Sequence, residues 1–292
     1  MVKCPKVRLF AAATLGAAIL FPTGALAARD WVLPSTTVLS GSNAWVTIDA
    51  ATSDELYFPN MRPLRVETIQ VLDSEGQPVT PENPSMGKFR STLDVQLTRP
   101  GTYKIAAVST SVMASWTDGG EVKRFRGTGE DFAKQVPASA VDLKTIRITN
   151  RSETFVTRDG PTSEVFKPTG QGLELVPVTH PSDVIVGEAA RFRFLLDGKP
   201  ASGIEVVFMR GGDHWKPRPT QIKLGTDADG GVSITFPEGG IWWMGAGVHS
   251  GETGRGPGPG PGGPGAAPRP AEPLAGDGYG ANYTATVEAQ LP

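Results

Sequence analysis

The chain has 292 residues, with 28 basic and 30 acidic side chains, a single cysteine, 36 glycines and 26 prolines. A formal charge of −2 offers no basic footprint for nucleic acid, and one cysteine excludes a disulfide framework. The length fits two domains of ordinary size, each able to bury a core without staples.

Lys3, Lys6 and Arg8 precede the apolar run Leu9–Phe21 and the small-residue signal Ala25-Leu26-Ala27, the layout of a secretory signal peptide over residues 1–27. The run is shorter than the ~20 residues that a membrane span needs, so cleavage is expected rather than a retained anchor. The expected mature chain starts at Ala28 in the periplasm. It has lost Cys4 and those three basic side chains, leaving 25 of the 28 basic groups against 30 acidic. No later stretch is apolar and long enough to form an integral membrane segment.

Thr36–Leu39 and Ala44–Ala50 are β-branched runs around Gly41-Ser42-Asn43 and read as strand, turn, strand. Leu64–Leu72 reads as a strand ending at the turn Asp73-Ser74-Glu75-Gly76. Phe89–Leu97 and Thr102–Val108, joined by Pro100-Gly101, read as a hairpin. Val112–Trp116 and Glu121–Phe125 flank Thr117-Asp118-Gly119-Gly120, a loop with the glycines that positive φ requires. Lys123, Arg124 and Arg126 then mark an exposed edge kept soluble by charge. Glu130–Gln135, before Pro137, is the one helical turn expected after the leader. Ile146–Val156 resumes strand character, and Arg158-Asp159-Gly160-Pro161 closes a first β-rich domain, residues 28–160.

Gly170–Phe208 opens a second domain, residues 161–292, with strands Leu173–Val178 and Ala190–Leu196 and a third from Ile204 to Met209. Val232–Phe236 and the segment from Ile241 read again as strand, turn, strand. In Gly254–Gly265 only Arg255 is neither glycine nor proline, and no Gly-X-Y period runs through it. Such a segment cannot bury enough surface to order itself, so a disordered loop over about 251–280 is expected, inside a hairpin with arms Ile241–Val248 and Tyr283–Leu291. The fold class that follows is all-β, two β-sandwich domains in tandem, the second immunoglobulin-like or transthyretin-like.

Chemistry-bearing residues are sparse. His180, His214 and His249 are scattered, and each reads either as a surface histidine or as a metal ligand. His214 is the best ligand candidate, with Asp213 beside it in a polar loop. Asp227-Ala228-Asp229-Gly230 looks like the start of a calcium loop, but the further oxygen ligands are missing and a tight turn is the better reading. No nucleophile can be paired with a base, so no catalytic residue and no enzyme activity is expected. Six tryptophans, Trp31, Trp45, Trp116, Trp215, Trp242 and Trp243, read as strand core ahead of a sugar-stacking face.

Three stretches carry a family resemblance: Asp30-Trp31-Val32-Leu33-Pro34-Ser35, Gly172-Leu173-Glu174-Leu175-Val176-Pro177, and the run from Gly187-Glu188 through Asp197-Gly198-Lys199-Pro200 to Thr226-Asp227-Ala228-Asp229-Gly230. Together they resemble a periplasmic family described as a nickel- or cobalt-uptake accessory component, formally a domain of unknown function. The resemblance implies a divalent nickel or cobalt ion as ligand, and a membrane metal transporter or outer-membrane receptor as partner. It singles out Arg29 and Trp31 in the mature N-terminal motif. Members commonly carry histidine where this chain has Arg29, and a guanidinium cannot coordinate a metal. Two functions are therefore expected as alternatives: a non-enzymatic accessory protein of metal uptake, or an interaction module that docks another envelope protein through a sheet edge.

Overall fold

The structure is a computed structural model that describes residues 28–213, 216, 220–250 and 276–292. The expected leader, His214, Trp215 and nearly all of the expected Gly/Pro loop lie outside the described residues. The strands are β1 (Arg29–Pro34), β2 (Val38–Leu39), β3 (Ala44–Ser53), β4 (Arg62–Pro63), β5 (Ile69–Leu72), β6 (Pro78–Val79), β7 (Glu82–Met86), β8 (Ser91–Leu97), β9 (Gly101–Asp118) and β10 (Glu121–Gly127). Helix α1 (Gly129–Gln135) and the long β11 (Val141–Arg158) follow. Then come β12 (Leu173–Pro177), β13 (Ala189–Leu196), β14 (Lys199–Pro200), β15 (Glu205–Arg210), β16 (Gln221–Gly225), β17 (Gly231–Thr235), β18 (Gly240–Ser250) and β19 (Gly278–Ala289). The all-β class expected from the sequence is what the chain adopts. Among the described residues no helix is long and apolar enough to cross a membrane.

Three sheets organise these strands. The first runs β1-β3-β8-β7, with β4 beside β3; the second is ten-stranded, β16-β15-β18-β19-β11-β9-β5-β6, with β10 on β9 and β2 on β11; the third runs β12-β13-β14, with β17 on β13. Period-two alternation decides which face of each strand is buried. In β8, Ser91, Leu93, Val95 and Leu97 are buried while the residues between them are partly exposed. In β11, Val156 joins the core formed with Val46, Ile48, Leu93, Val95, Tyr103 and Ile105, whereas its neighbour Phe155 joins the core formed with Phe192, Phe194, Phe208 and Trp242. Adjacent strand residues point to opposite faces, so the first and third sheets cover opposite faces of the central sheet. Trp242 and Trp243 repeat the division, one in the second core and the other in a small third cluster with Trp31, Ala51 and Met209. Tryptophans pointing to opposite faces cannot build one sugar-stacking surface.

The expected boundary near residue 160 falls just after β11. The two large cores divide there, yet the sheet continues across it, because β11 pairs in parallel with β19 from Ile146↔Gly278 to Thr154↔Thr286.

Several local expectations are corrected. Thr36–Leu39 does not pair with the following strand: only Val38–Leu39 is extended, it pairs with β11, and β1 is the true neighbour of β3. Leu64–Leu72 is broken by a 3-10 turn at Val66–Thr68. Phe89–Leu97 and Thr102–Val108 are not a hairpin. β8 lies in the first sheet and β9 in the second, so Pro100-Gly101 carries the chain across a core rather than back along an edge. The step from β17 to β18 is likewise a crossing between sheets.

Other elements form as expected. β9 and β10 pair up to Glu121↔Asp118, which leaves Gly119 and Gly120 as a two-residue turn with φ of 59° and 85°, the region only glycine enters freely. Thr128 Oγ1 caps α1 by accepting from the Asp131 amide at 3.1 Å, and Phe132 packs edge-on against Phe125. β18 and β19 are the two arms of a hairpin, paired from Gly240↔Ala289 to Ser250↔Tyr279. The Asp227–Gly230 segment is a turn: Asp227 Oδ1 accepts from the amides of Asp229 and Gly231 at 2.9 and 2.7 Å.

Candidate functional site

The N-terminal motif is consumed by packing. Trp31 is 2% exposed; its Nε1 donates to Ser53 Oγ at 2.7 Å and its ring meets Tyr57 edge-on at 5.5 Å. The Arg29 guanidinium stacks 5.9 Å from the Trp243 ring centroid and donates to the Asp54 carbonyl at 3.0 Å. The Asp30 carbonyl accepts from Trp243 Nε1 and from Thr284 Oγ1, at 3.0 and 3.1 Å. Tyr57 donates to Thr286 Oγ1 at 3.0 Å, and burial pushes its hydroxyl far above the usual phenol range. Arg29 and Trp31 thus fasten the first sheet to β18 and β19 of the central sheet.

Among the described residues the expected metal ligands do not converge. The His180 ring sits between the halves of the chain: Nδ1 accepts from the Ser182 amide at 3.1 Å, and Nε2 lies 3.0 Å from Thr102 Oγ1 and 3.2 Å from the Thr162 carbonyl. Both nitrogens are engaged, so neither offers a lone pair to a metal. The adjacent hydroxyl of Thr102 is fully buried and already accepts from the Thr162 amide; no substrate reaches it as a nucleophile. Asp213 is buried and held by Thr220 N at 2.8 Å, Lys216 Nζ at 2.8 Å and Arg210 Nη1 at 3.3 Å. Burial would raise its carboxyl, but the Lys216 and Thr220 hydrogen bonds outweigh that and hold it at about 2. These contacts join Asp213 to Arg210, Lys216 and Thr220 between β15 and β16. His249 is exposed near the end of β18, and His214 lies outside the described residues. Among the described residues no three His, Cys, Asp or Glu side chains are grouped to hold a metal.

A buried charge network was missed by sequence reasoning. On β11, Arg151 Nη1 donates to Glu153 Oε1 at 3.2 Å, and Nη2 reaches Thr169 Oγ1 at 3.4 Å and Glu174 Oε1 at 3.6 Å. Tyr283 of β19 donates to Glu153 Oε2 at 2.8 Å. Burial alone would raise the Glu174 carboxyl, yet the amides of Thr169 and Gly170 and the Thr169 hydroxyl hold it below the usual range. Arg151 Nε is buried with no hydrogen-bond partner among the described residues. The only sequence signal is Arg-Ser-Glu inside a run of strand residues.

Two clefts remain. One of about 590 Å³ is lined by Thr36, Val38, Gly239, Gly240, Glu288 and Leu291 among others, and one of about 480 Å³ by Ser74, Glu75, Thr162, Ser163 and Glu164. Neither lining pairs a hydroxyl with an imidazole.

The surface with the clearest unmet chemistry is the edge of the central sheet at β16. β16 pairs with β15 from Glu205↔Gly225 to Met209↔Gln221. Arg210 N bonds the Thr220 carbonyl at one end of this ladder and Thr226 N bonds the Ile204 carbonyl at the other. Antiparallel pairs alternate between bonded and unbonded, so Ile222 and Leu224 bond inward. The backbone N–H and C=O groups of Gln221, Lys223 and Gly225 consequently point away from β15, and among the described residues no strand takes them up. The edge at β7 differs: its pairing with β8 shifts register between Glu82 and Ser85, Asn83 has φ of 49°, and Pro84 removes a donor, devices that block strand addition.

Known structures show only distant likeness. A DUF4785 family protein from Legionella pneumophila is 8% identical with a TM-score of 0.22, the match covering 73% of this chain and half of that one. The D0-D1 domain of intimin is 13% identical over 88% of this chain and 96% of its own, with a TM-score of 0.20. A tandem repeat from the extending region of a large adhesion protein is 12% identical over 90% and 74%, with a TM-score of 0.21. Scores this low carry no argument about activity, and no curated protein matches. One family model, described as a domain of unknown function, does match residues 25–250, most of the chain. The chain belongs to that family, DUF4198.

Proposed function

We propose that this DUF4198 protein is a non-enzymatic interaction module, secreted to the periplasm, which docks another protein of the cell envelope by accepting an extended segment at β16. The observation that carries the reading is the alternation of inward and outward backbone groups along Gln221–Gly225, which leaves three successive outward positions without a strand partner among the described residues. Unpaired backbone groups on a sheet edge are a template for strand addition, and main-chain hydrogen bonds supply the affinity.

The test is a photocrosslinking side chain at Gln221 in cells that make the native protein, with the same group at exposed Glu188 as control. A discrete adduct at position 221 that is absent at 188 and lost on Lys223→Pro supports docking, since that proline removes an outward donor and leaves the β15 ladder intact. Equal adducts at both positions, or none at 221, overturn it. The finer reading that the resemblance implies, an accessory role in nickel or cobalt uptake beside a transporter or receptor, finds no group of three donors among the described residues. Calorimetry of the mature protein with Ni²⁺ is expected to give weak binding at most, and tight one-to-one binding lost in His214→Ala would restore the metal-carrier reading.

A further inference from the structure

The two faces of β16 differ, and the difference selects among extended segments. Ile222 and Leu224 are half-buried and pack onto the second core, beside Phe208 and Val206. Any strand laid against β16 places the side chains opposite Ile222 and Leu224 on that same face, where apolar groups would enlarge the core. Lys223 lies on the other face, half-exposed, with its Nζ 2.9 Å from Glu205 Oε1 on the inner strand. Its outer side meets no carboxylate among the described residues. The position directly opposite Lys223 on an added strand is a hydrogen-bonded pair, near enough for a side chain to complete a carboxylate–ammonium–carboxylate row.

Resting on the docking reading above, we infer that β16 selects an extended partner segment with apolar, acidic, apolar side chains in succession, the acid facing Lys223. A second copy of this chain fits less well. Two-fold pairing of β16 with itself in the register that uses all three outward positions centres on Lys223 and sets two ammonium groups against each other, a repulsive arrangement. The adjacent backbone at Gly225 adds no side chain that would oppose a carboxylate.

Three blocked pentapeptides, Thr-Val-X-Val-Thr with glutamate, serine or lysine at X, are titrated into the full mature protein, and the amide signals of Gln221, Lys223 and Gly225 are followed by NMR. The glutamate peptide is expected to bind about threefold more tightly than the serine peptide, and the lysine peptide about threefold more weakly. Lys223→Glu inverts that order, and it keeps the test alive should Lys223→Pro fail to fold. Equal binding of all three peptides at these amides overturns the acidic selection and leaves edge docking standing. No shift at these amides with any peptide overturns both. Concentration-dependent shifts of the same amides without peptide, together with a dimer by light scattering, give the edge to a second copy and overturn the inference.

Discussion

His180 holds one protonation state by geometry. Because Nδ1 accepts from the Ser182 amide, the proton sits on Nε2, where it is donated towards Thr162 and Thr102. Burial lowers the pKa of the ring, against the weaker opposing pull of the Thr162 carbonyl and Asp183. A histidine whose folded pKa is depressed contributes fully above its unfolded pKa, about 6.5, and that contribution falls away as pH drops through 6.5 towards the folded value. Urea unfolding at pH 7.5 and pH 5 should therefore show a loss of stability that His180→Ala does not share, and the variant should be weaker by about 1–3 kcal/mol at pH 7.5. Equal pH dependence in both proteins would rule this out. Asp213 runs the same way in a more acidic window: its stabilisation is present above the unfolded value near 3.9 and is lost as pH falls towards about 2. Asp213→Asn should cost about 1–3 kcal/mol at pH 7, read by the same unfolding assay. The sequence placed His180 in a turn before proline, which is where it stands. Its partner Thr102, 78 residues earlier, is invisible to local pattern.

Elements that close on their neighbours were legible, and those that close on distant ones were not. The β9–β10 hairpin declares itself through alternation and a Gly-Gly turn, whereas Pro100-Gly101 and the turn at Pro237 look the same whether a strand pairs with its neighbour or crosses a core. The Arg151 network follows the same logic, since β11 supplies two members, β12 and β19 one each, and the segment before β12 supplies Thr169. Arg151→Met leaves two buried carboxylates without their cation and should cost about 3–5 kcal/mol. Adding Glu153→Met should recover more than about 1 kcal/mol of that by double-mutant cycle; additive effects would show that the pair is not coupled. At Gly230 the φ of 75° and a would-be Cβ 2.3 Å from the Phe194 carbonyl oxygen leave no room for a side chain. Gly230→Ala should lower stability by more than about 2 kcal/mol, measured by thermal or urea unfolding.

At the scale of the whole molecule, β11 is paired on one side with β9 and on the other with β19, so the strand that ends the first half is flanked by one of the last. Cores on opposite faces of a shared sheet should unfold together, and a single transition by both tryptophan fluorescence and circular dichroism is expected; two separated transitions would show independent halves. The parallel pairing of β11 with β19 has a further consequence in time. It joins residues 132 positions apart, as Thr154 and Thr286 are, and neither strand can find the other until the second has been made. While the chain is emerging from a ribosome or a translocation pore, β11 has a complete partner, β9, on one flank only. The central sheet of a nascent chain therefore stays unsealed until Gly278–Ala289 arrives, and the pairing that closes it waits on a strand made long after β11.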